Sequence, residues 1–142
     1  MNSNLGQFRM DLRNFSVKVE KDAVATVKRL ALTVDKHLVM NTPVDTGRAR
    51  SNWIPTLEAP SEQQIPPFAP GTKGSTGRAN TQAALTAMAT VLASFELGRQ
   101  VWIVNNTEYL GFLNDGTTPT KQASPGFVER AIQAGIREGL KR

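Results

Sequence analysis

Between Phe15 and Met40, apolar residues recur at helical spacing. Val19, Ala23, Val27, Leu30, Ala31, Val34 and Leu38 form the stripe, and Lys18, Lys21, Lys28, Arg29 and Asp35 fall mostly elsewhere. The pattern predicts one long amphipathic helix. Asn41-Thr42-Pro43 ends it, because proline disfavours a helical residue before it. Ser51 to Glu58 reads as a strand with Trp53 and Leu57 on alternate positions, and Pro55 marks it as an edge strand or a bulge. Thr81 to Leu97 reads as a second helix, with Ala84, Leu85, Met88, Val91, Leu92 and Phe95 on one side and Gly98 as its stop. Val101-Trp102-Ile103-Val104 is a short apolar run bounded by turn formers, which predicts a buried strand. Phe127 to Leu140 reads as a third helix, with Val128, Ile132, Ile136 and Leu140 as its apolar side and Arg130, Arg137 and Lys141 as a solvated stripe. The expected fold class is therefore α+β. A long N-terminal helix and two further helices pack on a small, mostly antiparallel sheet, in one domain over residues 1–142.

The stretch from Ala59 to Asn80 breaks this regularity. Pro60, Pro66, Pro67 and Pro70, with Pro55 just before them, and Gly71, Gly74 and Gly77 leave little room for helix or strand. A loop of about twenty residues in a small domain is functional or disordered. The expectation is an extended arm. Its middle, around Ile65 and Phe68, carries apolar groups that fit a neighbour, and its end, with Lys73 and Arg78, is basic.

Composition narrows the function classes. The chain has 142 residues, enough for one core, and only 39% of them are hydrophobic. For a chain this thin in core residues, further burial against copies of itself is the expectation. There is no cysteine, so disulfides, thiolate metal sites and cysteine nucleophiles are excluded. No apolar run approaches the roughly 18 residues of a membrane span. The opening Met1-Asn2-Ser3-Asn4-Leu5-Gly6 does not read as a signal peptide, so synthesis in a cytoplasm and no membrane partner are expected. The net charge of +5 is spread as +3 over residues 1–42, +1 over 43–80 and +1 over 81–142. That is a solubilising surface rather than a nucleic-acid tail.

Candidate chemistry is sparse. Val44-Asp45-Thr46-Gly47 contains the triplet of aspartic proteases, whose aspartate sits at the end of an apolar strand. Here a proline-broken helix precedes it and Arg48 follows, so Asp45, Thr46 and Gly47 read as a structural turn. Asp45 accepts backbone amides there, and Gly47 supplies a positive φ. Gly71 to Gly77 lacks the Gly-Lys-Ser/Thr order of a phosphate loop. His37 has no second histidine and reads as a packed or surface residue of the helix. No catalytic, cofactor-binding or metal-binding residue is expected, and no cofactor. Trp53, Trp102, Tyr109 and Phe127 read as core or subunit contacts, stacking on single-stranded nucleic acid being the less common use of Trp53, Trp102 and Tyr109.

Two islands carry a resemblance. The first is Thr42-Pro43-Val44-Asp45-Thr46-Gly47-Arg48, leading to Trp53 after a long N-terminal helix. The second is Asn105-Asn106-Thr107-Glu108-Tyr109, then Leu113-Asn114-Asp115-Gly116-Thr117, then Pro125-Gly126-Phe127-Val128 opening the last helix. Their order and spacing, from about Val24 to Ile136, resemble the head–tail joining or tail-completion (neck) proteins of long-tailed bacteriophages. The sequence departs from that family at Asp115, where glutamate is usual, and in the length of the 59–80 segment.

The resemblance implies a virion structural protein without catalytic activity. It implies a homo-oligomeric ring, hexameric where it meets a sixfold tail tube, that joins the connector to that tube. The partners implied are other neck and connector proteins, the tail tube, and genomic DNA passing non-specifically through the lumen near Lys73 and Arg78. The expected location is the virion neck or tail, after assembly in the host cytoplasm. Gly116, in the second island, is assigned with Asp45, Thr46 and Gly47 to structural turns. The alternatives are a tail terminator that caps the tube and a nucleic-acid-binding module.

Overall fold

The computed structural model describes residues 2–117, 120 and 122–141, with the backbone alone for 2–12 and 15. Among these residues the chain forms five helices and two strands: α1 (Asn2–Asn41), α2 (Arg48–Ser51), β1 (Ile54–Leu57), α3 (Gly77–Leu92), β2 (Val101–Val104), α4 (Leu110–Asp115) and α5 (Phe127–Gly139). The fold is mixed helix and sheet with a long first helix. β1 and β2 form a two-stranded antiparallel ribbon in which Ile54 faces Val104 and Leu57 faces Val101. Pro55 fits because a strand with one neighbour can leave its other edge without a donor.

The core lies where α1, α3 and α5 meet the ribbon. Leu38, Val39, Trp53, Ala84, Leu110, Phe127 and Ala131 form one cluster, and Ala31, Met88, Leu92 and Phe95 form a second. Fully burying one such large side chain stabilises by about 1.5–3 kcal/mol. α1 is the spine of both clusters, and α5 is its most extensive partner.

The α1–α5 contact depends on small residues. Ala131, Gly135 and Gly139 recur every fourth position and are buried against α1. A β-carbon on Gly135 would lie 2.8 Å from the Val34 amide nitrogen and 2.9 Å from the Thr33 carbonyl oxygen. Each internal glycine costs about 1 kcal/mol in helix propensity relative to alanine, which the close approach offsets. Thr33 Oγ1 donates to the Gly135 carbonyl at 2.6 Å, and Arg29 Nε donates to the Gly139 carbonyl at 2.7 Å. Arg29 thereby satisfies the C-terminal end of α5, where a cation is favoured. Glu138 bonds both Lys36 Nζ (2.6 Å) and His37 Nε2 (2.7 Å) on the same flank.

Several elements differ from the sequence expectation. α1 begins at Asn2, well before Phe15. α3 starts at Gly77, four residues early, and stops at Leu92, with Phe95 buried in the turn that follows. The strand expected over Ser51–Glu58 is shortened to Ile54–Leu57, because Arg48 to Ser51 coil into α2 first. β2 is half-buried rather than buried, since a two-stranded ribbon has one face without a second layer. On α5 the expected apolar side is the exposed one. Ile132, Ile136 and Leu140 are solvent-facing, while their smaller neighbours Ala131, Gly135 and Gly139 take the core side. Asp35, expected off the apolar stripe, is buried.

Candidate functional site

The first island builds a compact joint between α1 and the ribbon. Thr42 ends α1 by donating its hydroxyl to the Leu38 carbonyl at 2.6 Å and accepting the Trp53 indole N–H at 2.7 Å. Arg50 then satisfies carbonyls left open at the helix end. Its Nη2 reaches the carbonyl oxygens of Thr42 (2.7 Å) and Met40 (3.2 Å), and its Nη1 reaches Thr81 Oγ1 of α3 at 3.0 Å. Gly47 takes φ +92°, and a β-carbon there would meet the Asn80 side chain, with Cγ at 2.8 Å. Glycine is required twice over, for backbone and for space.

Three buried polar side chains hold the proline-rich segment to this joint. Asn52 pairs with the backbone of Ile65 as a strand would: Nδ2 donates to its carbonyl and Oδ1 accepts its amide, both at 2.8 Å. Ser51 Oγ accepts the Phe68 amide at 3.1 Å and donates to Asn80 Oδ1 at 2.9 Å. Asn80 Oδ1 also accepts the Ala69 amide at 2.8 Å, while its Nδ2 donates to the carbonyls of Ala69 and Thr76, both at 2.9 Å. Every polar atom of the Asn80 amide is used, as burial demands. The Asp45 carboxylate accepts the Lys73 amide at 2.8 Å, and its carbonyl accepts the Gly74 amide at 2.9 Å. The amide that Asp45 serves is thus far along the chain rather than in its own turn. The segment after Ala59 lies latched along the body in this structure.

The second island meets the first across a cleft of about 550 Å³, lined by Val44, Asp45, Thr46, Gly47, Tyr109 and Leu113 among others. Asn105 reaches back with Nδ2 to the Ala49 carbonyl at 2.8 Å and accepts the Thr107 amide on its Oδ1. Gln122 brackets Val44, accepting its amide at 2.7 Å and donating to its carbonyl at 2.8 Å. Arg48 spans the rim. Its guanidinium pairs with Glu108 at 3.2 Å, bonds Gln64 and stands 5.8 Å from the centre of the Tyr109 ring. Burial pushes the Tyr109 hydroxyl above its ordinary range, with Arg48 opposing. Backbone and Gln64 hydrogen bonds, then Arg48, hold the Glu108 carboxyl below its usual value.

Gly116, at φ +86°, ends α4 and lies under the Pro125 ring, where a β-carbon would come within 2.8 Å of Cγ. Asn114 then serves the start of α5. Its Oδ1 accepts the Val128 amide at 2.9 Å, and its carbonyl accepts the Gly126 amide at 2.6 Å. The Thr117 hydroxyl, then its amide, keeps the Asp115 carboxyl below its usual range.

The remaining assigned residues fall in different settings. Trp53 and Phe127 are buried in the core. Trp102 is half-buried, and its indole nitrogen has no partner among the described residues. Tyr109 is half-buried beneath Arg48, and Ile65 is half-buried at the latch. Phe68 is 46% exposed, so among the apolar residues assigned to contacts it presents the most open face. Lys73 is exposed in the turn before α3, at φ +52°, and Arg78 is exposed in the first turn of α3. Asn52, Asn80 and Arg50 escaped the sequence reading. The asparagine in each of Ser51-Asn52-Trp53 and Arg78-Ala79-Asn80 resembles an ordinary surface residue until its partners are in place.

Asp35 stands apart. It is fully buried, both carboxylate oxygens lack a partner among the described residues, and burial pushes its carboxyl up to about 7. Among the described residues no three His, Asp or Glu side chains gather as a metal site, and no helix is long and apolar enough to cross a membrane. No family model, curated protein or solved structure matches this chain.

Proposed function

We propose that this chain is a structural protein of a long-tailed phage neck, which forms a ring at the head–tail interface and joins the connector to the tail tube. The resemblance of the two islands motivates the reading. The observation that carries it is their convergence: both line one cleft, where Gln122 brackets the Val44 backbone and Asn105 holds the Ala49 carbonyl, and beside it Asn52 and Asn80 hold the backbone of the proline-rich segment. A surface built to hold loops in register suits docking of a protein partner. Residues 59–76, the part of the 59–80 segment left outside α3, are the arm in this reading, with Phe68 and Ile65 at a neighbouring subunit or a neck partner. Lys73 and Arg78 face the lumen, where exposed cations hold DNA weakly and with strong salt dependence. The chain performs no catalysis and needs no cofactor.

Electron microscopy of phage particles with and without this gene tests the role. Density for the protein as a ring between connector and tube, with unjoined heads and tails in its absence, is the expected result. Normal joined particles without the gene would sink it. Density confined to the end of headless tails would favour the terminator reading.

A further inference from the structure

Two adjoining clefts of about 590 and 670 Å³ run beside the α1–α5 contact. They share His37, Asn41 and Ala134 and so form one open furrow. α1 supplies one wall with Lys36, His37 and Asn41. On the other wall Arg130, Ala134 and Arg137 follow one another at spacings of four and three, which sets them on one face of α5. Lys141 continues the row in the turn after the helix, where its amide bonds the Glu138 carbonyl at 3.2 Å. From Arg130 to Lys141 the row is about 16 Å long at 1.5 Å per residue.

Charge that is scattered along the sequence gathers here. Lys36, Arg130, Arg137 and Lys141 line the furrow with a single carboxylate, Glu138, so it holds +3 of the chain's net +5 with His37 neutral. Glu138 is already engaged, because Lys36 Nζ and His37 Nε2 take one oxygen each and hold its carboxyl below the usual range. Glu129 turns instead to Asn114 Nδ2, at 3.0 Å. The carbonyls of Pro125 (2.6 Å) and Ser124 (2.9 Å) fix the Arg130 guanidinium without neutralising it. Arg137 and Lys141 are exposed and form no ion pair among the described residues. A concave surface of one sign attracts a polyanion.

The rest of the lining says which polyanion. Asn41, Thr120, Gln122 and Ser124 stand among the cations, and Phe127 is buried in the floor. Met40, at one end, is the one large exposed apolar side chain among the described lining residues. An acidic protein segment would be held at the centre of its interface by apolar and aromatic anchors. Short amides and hydroxyls between cations are instead the groups that hold phosphate oxygens.

We propose that the α1–α5 furrow binds the phosphate backbone of duplex DNA, without sequence preference, through Arg130, Arg137 and Lys141. Over 16 Å of axis a duplex presents about nine charges, enough for each cation to find a phosphate. The assignment rests on the neck reading for its setting. It deepens that reading by naming a DNA-binding surface besides Lys73 and Arg78.

Fluorescence anisotropy of short labelled duplexes of unrelated sequence, titrated with the full-length protein at stepped salt concentrations, tests the assignment. The logarithm of the binding constant should fall against that of salt with a slope near −3, about 0.9 for each phosphate neutralised. The double variant R137Q/K141Q should lose about 2 of that slope, bind at least tenfold more weakly at the lowest salt and keep the wild-type thermal midpoint. R137K/K141R, which keeps both charges, should bind as the wild type does, so a loss through misfolding is told apart from a loss of charge. No wild-type binding at the lowest salt, or an R137Q/K141Q slope equal to the wild type's, would overturn the proposal. So would loss of binding in K73Q/R78Q alone, or tighter binding of polyglutamate than of DNA at equal charge. Unjoined particles without the gene, combined with an unchanged R137Q/K141Q slope, remove the furrow alone. Normal joining without the gene, combined with the expected slopes, removes the joining role alone.

Discussion

The Asn80 side chain lies directly over the α-carbon of Gly47, where a β-carbon would stand. From there it bonds Ser51, Ala69 and Thr76 at once. A glycine in the first island and an asparagine in α3 thus form one unit, and the proline-rich segment hangs on it.

Gly47→Ala tests that unit. The substitution forces a β-carbon into φ +92° and drives Asn80 from buried partners. Left-handed backbone costs a non-glycine residue about 1–2 kcal/mol, and each buried polar group left unpaired about 1–3. A loss of roughly 3 kcal/mol or more in urea unfolding is expected. Faster proteolysis within residues 60–76 should accompany it, since the latch opens before the core. A loss below about 0.5 kcal/mol would show that Asn80 is not confined as described.

Asp35 predicts an unusual pH dependence. Its carboxyl binds a proton more tightly when folded, at about 7, than in an exposed chain, near 3.8. Its contribution is therefore fully present below pH 4, declines as pH rises towards 7, and is gone above that. Each tenfold change in proton affinity is about 1.4 kcal/mol, so the decline is on the order of 4 kcal/mol. Asp35→Leu should flatten the stability profile between pH 4 and 7 and raise the unfolding midpoint at pH 8. An unchanged profile would mean that the carboxyl is paired or hydrated.

Gly135 and Gly111 both lie within helices and should respond oppositely to alanine. At Gly135 a methyl group meets the backbone of α1, so α5 must move outward, and a destabilisation of about 1–3 kcal/mol is expected. At Gly111 nothing stands within 4 Å, so helix propensity alone acts, and a gain of up to about 1 kcal/mol is expected. Chemical denaturation of the two variants side by side decides whether close helix approach is what Gly135 provides.

Phe68→Ser separates folding from assembly. Phe68 is 46% exposed and is held through its backbone amide, so stability should stay within about 0.5 kcal/mol. Under the proposed function, the yield of joined particles falls in a phage carrying the variant. Unchanged yield would remove Phe68 from the partner surface.

Elements whose physics is local were legible along the chain. Val27, Ala31 and Leu38 announce the body-facing side of α1, Pro43 its end, and Val101 to Val104 a strand, because periodicity and the missing proline amide act over a few residues. Tertiary structure decided what depends on distant partners. Asn52 and Asn80 became internal struts only because Ile65 and Ala69 were brought beside them. Asp35 became buried only through tertiary packing that its place off the apolar stripe did not announce, and Ser51, read as the first residue of a strand, became the last of α2. On α5 two apolar stripes competed for α1. The smaller won, because Ala131, Gly135 and Gly139 let two backbones touch, and the larger Ile132–Ile136–Leu140 stripe was left outside. Hydrophobicity is legible in one dimension, whereas close approach depends on the shape of the partner.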